Sequence, residues 1–159
     1  MKKIGIAIHG GAGTIIASQM TPELKQAYEQ ALRHALDAGY AVLEKNGTAV
    51  DAVAAASIKL EDNLLFNAGR GSVFTRKGGH EMDASIMVGD TLAAGAVAGI
   101  KNVKNPISLA RAIMEKSEHV LLAGDGATAF AKKINTEFAA DDYFFDATRF
   151  EHLQKAKEA

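Results

Sequence analysis

The stretch SVFTRKGGHEMDASIMV, residues 72–88, followed past Gly89-Asp90 by TLAAGAVAGI, residues 91–100, decides the fold class. Here the apolar period drops from helical to 2. Met82, Ala84, Ile86 and Val88 alternate with Glu81, Asp83, Ser85 and Met87, the pattern of a strand with one buried face. Gly78-Gly79 reads as a turn between two strands, and Gly89-Asp90 as a second turn. The third strand, ending at Ile100, is rich in small residues, which let another layer pack very close. The three form an antiparallel sheet, and so apolar a strand as Leu92 to Ile100 needs cover on both faces.

Upstream, Ile4 to Ile8 reads as a short buried strand, apolar on both faces. Thr21-Pro22-Glu23 starts a helix with a cap, a proline and an acid in the first turn. Leu24, Tyr28, Ala31, Leu32, Ala35, Leu36, Val42 and Leu43 continue it as one apolar stripe, and Asn46-Gly47 stops it. Thr48 with Asp51 three residues on starts a second helix in the manner of a capping box, reaching about Asn63. Downstream, Asn105-Pro106 opens a helix to about Lys116, HVLLA is a short strand, and Gly124 to Ile134 is a helix. Phe138 to Asp146 is irregular and aromatic, and Thr148 to Ala159 is a polar helix or tail. No linker or repeat divides residues 1–159, so the chain reads as a single α+β unit. The two N-terminal helices can cover one face of the sheet. Little remains to cover the other, so either the sheet pairs with a second copy or another chain completes it.

Composition excludes several classes. The chain has 159 residues, a net charge of −1 and no block of like charge, unlike a nucleic-acid surface with its clustered basic patch. It has no cysteine, which removes disulfides, thiolate metal sites and cysteine nucleophiles. No run approaches the roughly 20 apolar residues of a membrane span. The short apolar run after Met1-Lys2-Lys3 is too short for a signal peptide, so the expected location is the cytoplasm.

Residue by residue, the chemistry is sparse. There is no Gly-x-Ser-x-Gly elbow and no Ser-x-x-Lys. Thr14, Thr48, Thr75, Thr91, Thr128 and Thr148 stand apart from any obvious base and suit caps and turns. His9, His34, His80, His119 and His152 show no zinc-helix spacing. His34 lies beside the first helix's stripe and His152 on a polar surface. His9 ends a strand at HGGAG, residues 9–13, where it serves either to hold the glycine loop or in catalysis. Neighbouring acids at Glu61-Asp62 and Asp141-Asp142 point apart where helical. Glu81 and Asp83 share a strand face, as a pair or as its wet side. GDGATA, residues 124–129, fits Gly-x-Gly-x-x-Ala after a strand, but too little chain follows for a dinucleotide fold. LEDNLLFNAGRGSVFT, residues 60–75, is a helix end running into a tight loop. Its carbonyls can converge on a hard cation, and Asn67, among small residues, can aim its amide at a reacting group.

Taken in order, IAIHGGAG, DAVAAASIKLEDNLLFNAGRGSVFT, HEMDASIM, AGAVAGIKNVKNPISLAR, SEHVLLAGDGA and RFEHL resemble the plant-type asparaginase and isoaspartyl aminopeptidase family of N-terminal-nucleophile hydrolases. The resemblance covers essentially the whole chain. It implies a four-layer αββα sandwich, of which this chain supplies roughly half as the α subunit. In that family a precursor cuts itself before a threonine, which then heads a separate β subunit and uses its own α-amine as base. The nucleophile, the substrate-gripping residues and the oxyanion hole therefore fall outside this chain. Asn67 matches the asparagine that supports the nucleophile. Gly10 and Gly11 match the loop lying against it, with His9 as the loop's anchor. Leu60, Glu61, Asn63, Phe66, Ala68 and Arg70 match positions whose main-chain oxygens hold sodium in bacterial relatives. GDGA becomes a packed turn. The resemblance implies no organic cofactor, an (αβ)2 assembly, and L-asparagine and β-aspartyl peptides as substrates. A same-family threonine-dependent endoprotease and a non-enzymatic binding domain are the alternatives.

Overall fold

The computed structural model describes residues 3–11 and 20–158. Helix α1, Pro22–Glu44, starts as expected: Leu24 N–H donates to Thr21 Oγ1 at 3.2 Å. It ends at Asn46, whose φ of 61° lies in the left-handed region. Helix α2, Ala49–Glu61, carries the full capping box, in which Asp51 N–H donates to Thr48 Oγ1 and Thr48 N–H to Asp51 Oδ2. The two helices pack against each other through small residues. Ala31, Ala35 and Gly39 form the buried stripe of α1, and Ala52, Ala54 and Ala56 are buried on α2. A β-carbon on Gly39 would come within 2.8 Å of Ala52 O. The leucines of the α1 stripe are only half-buried beside it, and His34 is exposed.

Three strands form one sheet in the order β1 (Met82–Met87), β2 (Ala94–Ile100), β3 (Leu121–Ala123). β1 and β2 are antiparallel, joined by a turn in which Leu92, at φ 60°, donates to Val88 O. A bulge between Met82 and Ala84 is closed by Gly99 N–H donating to Asp83 Oδ1 at 2.7 Å, with Gly99 at φ 61°. Glu81 instead meets Lys101 Nζ at 3.1 Å. The two acids are therefore separately engaged on the exposed side and form no carboxylate pair.

β3 lies parallel to β2, so the sheet is mixed and not antiparallel throughout. The crossover is α3, Pro106–Lys116, as parallel neighbours require. This helix covers most of the sheet's buried face; of the N-terminal pair, α2 reaches the same core through Ala54, Val50 and Ile58. Ile107, Leu109, Ala110 and Ile113 are buried with Met82, Ile86, Val97 and Ile100, while α2 packs behind α3. Helix α4, Gly124–Lys133, adds Ala127 and Ala131 to the same core. The small residues of β2 act as expected. A β-carbon on Gly95 would collide with Ala110 O and stand 2.5 Å from Met114 N, so strand and helix backbones almost touch.

The opposite face carries Ser85, Met87, Ala94, Ala96 and Leu121 in register. Met87 and Leu121 are each 56% exposed, so among the described residues this face has little cover, as expected from the chain's shortage of further elements.

Three local expectations change. Ile4–Ile8 is not a strand: Ile6 and Ile8 lie half-buried along the helices, with Ile6 against Gly39, and the other side is exposed. A strand exists only by pairing, and among the described residues this segment meets no partner edge. Ser72–Thr75 is not a strand either. The turn is there, with Thr75 N–H donating to Gly79 O and Gly78 at φ 86°, but the Ser72 and Val73 amides are taken by Gly69 O and Asn67 Oδ1. GDGA opens α4 with Gly124 at φ 50°, and β-carbons on Gly124 and Gly126 would meet nothing. Gly124 serves conformation, and neither glycine serves close packing among the described residues. Two short 3-10 turns, Gly69–Gly71 and Asp141–Phe144, and the polar helix α5, Ala147–Glu158, complete the described elements. Among the described residues no helix is long and apolar enough to cross a membrane.

Gly95 has no unusual φ, so its substitution tests packing alone. Gly95→Ala is expected to lower stability by about 1–3 kcal/mol through the strand–helix collision, read as a lower urea midpoint with unchanged slope.

Candidate functional site

The loop after α2 begins at a joint. Glu61, 6% exposed, accepts Ile107 N–H through Oε1 at 2.9 Å and so caps α3 from outside, since Asn105 makes no side-chain cap there. Asn105 turns instead to Asp62 Oδ1 at 3.0 Å. Glu61 Oε2 is buried without a partner among the described residues. Burial drives the Glu61 pKa up to about 7, the Asp62 charge adds to this, and the Ile107 hydrogen bond and the nearby Asn105 amide oppose it.

From Asp62 the chain coils tightly. Asn63 Oδ1 accepts Leu65 N–H at 2.9 Å in an Asx turn. Tyr28 Oη donates to Leu65 O at 3.2 Å and Arg149 to Leu64 O at 3.1 Å. Gly69, at φ 51°, would put a β-carbon 2.5 Å from Glu61 O. A β-carbon on Gly71 would strike Phe66 O and come 2.8 Å from Asn63 O and 2.9 Å from Leu64 O. Only glycine fits either place, and the loop's carbonyls converge because nothing fills the space between them.

This convergence bears on the six expected cation positions. Asn63 O and Phe66 O share the pocket at Gly71, while Leu60 O accepts Asn63 N–H and Ala68 O accepts Gly71 N–H. Arg70 sets its guanidinium over the Tyr143 ring, 5.3 Å from the centroid. An all-oxygen, main-chain donor set is of the kind that suits a hard cation, and of the six oxygens Asn63 O and Phe66 O are the two that meet at Gly71. Among the described residues no cluster of three or more histidines and carboxylates makes a side-chain metal site.

Asn67 sits exposed at the loop's crest. Its Oδ1 accepts Val73 N–H at 2.9 Å. Because a backbone N–H can only donate, the amide's orientation follows from the network: Oδ1 faces the backbone and Nδ2 faces out, donating to nothing among the described residues. The glycine segment reaches the same place from the N-terminal side. A β-carbon on Gly10 would lie 3.2 Å from the Phe66 ring and 3.0 Å from Leu32, and Phe66, the residue before Asn67, stacks edge-on against Tyr28 at 5.9 Å. Gly11, at φ 107°, donates its N–H to His9 Nδ1 at 3.1 Å. His9 thus holds the loop, the structural alternative of the two. Phe66 links the two segments, since Gly10 packs on its ring and Asn67 follows it in the chain. Ala12, Gly13 and Thr14 lie outside the described residues.

Residue patterns alone missed the supports: Tyr28, Ser72, His80, Tyr143 and Arg149. Tyr143 Oη donates to Asp62 Oδ1 at 3.4 Å, and Phe74, Phe145 and Phe150 pack mutually. The aromatic bias of residues 138–146 was the available signal. Its target loop lies some 80 positions away, beyond any local pattern.

The sequence profile of a family described as Asparaginase matches residues 1–159. The chain is 46% identical over 159 residues to the isoaspartyl peptidase of Salmonella typhimurium, covering 100% of this chain and 51% of that one. It is 44% identical to the isoaspartyl peptidase of Escherichia coli, covering 99% and 49%. It is 54% identical over 129 residues to the plant-type L-asparaginase of Pyrococcus abyssi, covering 81% and 41%. The chain spans about half the length of the curated relatives it matches.

The Glu61 pKa fixes the sign of a pH effect. A carboxyl raised from 4.5 to about 7 binds its proton more tightly in the folded state, so its stabilising effect is full below the unfolded value and is lost as pH rises through about 7. Urea unfolding at fixed salt is expected to show stability falling between pH 5 and 8, and Glu61→Gln is expected to flatten that slope.

Proposed function

The chain belongs to the asparaginase family, and from that premise we propose that it is the α subunit of a β-aspartyl amide hydrolase. The reaction removes ammonia from L-asparagine, or an amino acid or peptide from a β-aspartyl linkage. It passes through an acyl ester on the N-terminal threonine of a separate β subunit, released by autocatalytic cleavage of a common precursor, with that threonine's amine as base. Water then releases aspartate.

One observation carries this reading. Asn67 keeps its Oδ1 tied to Val73 N–H, so its Nδ2–H points outward from an exposed position and meets no acceptor among the described residues, while Gly10 packs on the ring of the preceding Phe66. A fixed, outward donor suits the support of an oxygen nucleophile approaching from another chain. The uncovered sheet face supports the partner. A sheet face with Met87 and Leu121 over half exposed is the kind that another layer covers, and a β subunit's sheet there would complete a four-layer αββα sandwich. Two αβ units form the proposed assembly, in the cytoplasm and with no organic cofactor. A sodium ion, where bound, would sit on main-chain oxygens of Leu60, Glu61, Asn63, Phe66, Ala68 and Arg70 and stiffen the loop beneath Asn67.

Intact mass of every chain in native material tests the assembly. The expected result is a second chain of similar size beginning with threonine, with hydrolysis of asparagine or a β-aspartyl dipeptide. A single soluble monomer of 16.8 kDa without that activity would overturn the proposal in favour of a binding domain. In the active material, Asn67→Ala is expected to lower kcat roughly 100- to 1,000-fold, with KM little changed.

A further inference from the structure

His80 is buried, 9% exposed, although it closes a turn of exposed residues, Arg76 to Gly79. Its ring lies 4.3 Å from that of Phe74 and 5.8 Å from that of Phe144, centroid to centroid. Its Nδ1 lies 3.1 Å from both Ser72 O and Ser72 Oγ. One nitrogen facing two oxygens decides the tautomer. A bare Nδ1 would set its lone pair against the carbonyl's, whereas Nδ1–H donates to the carbonyl and the hydroxyl oxygen shares the same hydrogen.

The accepting carbonyl has a second role through its own peptide. Ser72 C=O and Val73 N–H belong to one planar unit and point in opposite directions. The first accepts from His80; the second donates to Asn67 Oδ1 at 2.9 Å. We propose that His80 is a positioning residue that orients the Asn67 amide through the Ser72–Val73 peptide. The inference rests on the function proposed above, in which Asn67 Nδ2 meets the reacting centre.

The alternative state shows why the grip matters. Were that peptide to flip, Ser72 O would face Asn67. The amide would then turn Nδ2 inward to donate to it and present an acceptor outward, the wrong polarity for supporting a developing oxyanion or a threonine oxygen. The His80 hydrogen bond opposes the flip, and the two bonds in series strengthen each other by polarisation. Ser72 N–H donating to Gly69 O at 3.0 Å fixes the preceding peptide, and Phe74 and Phe144 flank the ring that holds the 72–73 unit.

Two variants separate the hydrogen bond from the ring. His80→Phe keeps an aromatic body between Phe74 and Phe144 but cannot donate. His80→Asn places an amide donor near the Nδ1 position and removes the ring. Each is purified with its partner chain, and three readouts are taken: kcat and KM for asparagine and a β-aspartyl dipeptide, melting temperature, and the nitrogen-15 resonances of the Asn67 side-chain amide. The expected result is a kcat lowered roughly 10- to 100-fold in His80→Phe, as for a small misplacement of a catalytic group, with KM unchanged and the Asn67 resonances shifted. His80→Asn is expected to recover most of kcat and the wild-type Asn67 resonances despite a lower melting temperature. Wild-type kcat and Asn67 resonances in His80→Phe, or activity that merely tracks melting temperature across both variants, would overturn the role. If the wild-type material hydrolyses neither substrate, the proposed function fails by itself. The Asn67 resonances then decide the His80 role alone: shifted in His80→Phe and retained in His80→Asn they uphold it, and unmoved in His80→Phe they reject it.

Discussion

The junction between the end of α2 and the start of α3 is the constraint on which the rest of the structure depends. Glu61 accepts the Ile107 amide, and Asp62 accepts the Asn105 side chain. These bonds join the helix that leads into the functional loop to the helix that covers the sheet. A buried carboxylate with one oxygen unpartnered is costly, and the cost is partly offset by a proton at moderate pH and by four-way contact among α2, α3, the loop and the sheet core. Any displacement of α3 on β2 is opposed by Gly95, where backbone meets backbone. The loop thus starts from a point held by hydrogen bonds on both sides of the junction.

From that point, the loop's shape is set by what is missing as much as by what is present. Gly69 and Gly71 leave no room for side chains, and the surrounding carbonyls close in. The C-terminal third then clasps the loop from outside. Arg149 holds Leu64 O, Tyr143 reaches Asp62, and Arg70 lies over Tyr143. These contacts span more than 70 positions of sequence, so the 62–73 loop is as much a product of residues 143–149 as of its own composition. Asn67 at its crest keeps one orientation because backbone, and not solvent, takes its oxygen.

The helices were legible because their signals are local. Thr21-Pro22, the Thr48–Asp51 box and Asn46 act within a few residues, and each behaves in the fold as its chemistry requires. The alternation through Met82–Ile86 likewise marked a strand, and the small residues of β2 correctly announced a close neighbour. Strand status at Ile4–Ile8 and Ser72–Thr75 was misread for one reason. An apolar or β-branched run reports willingness to pair, whereas pairing needs an edge, and side chains such as Asn67 compete for the same amides. The parallel placement of β3 was hidden for a related reason: three residues carry too little pattern to declare direction.

By itself the sequence determined the local grammar of this protein: where helices start and stop, which strand must lie close to another layer, that a sheet face would be left bare, and that glycines and Asn67 mark a tight loop. Those follow from steric and hydrogen-bonding limits of single residues and near neighbours. The tertiary structure alone decided which amide hydrogen bonds went to side chains, that α3 more than the N-terminal helices covers the sheet, and that His80, Tyr143 and Arg149 brace the loop. Such contacts join residues far apart in the chain, and only the packed core fixes the distances that make them form.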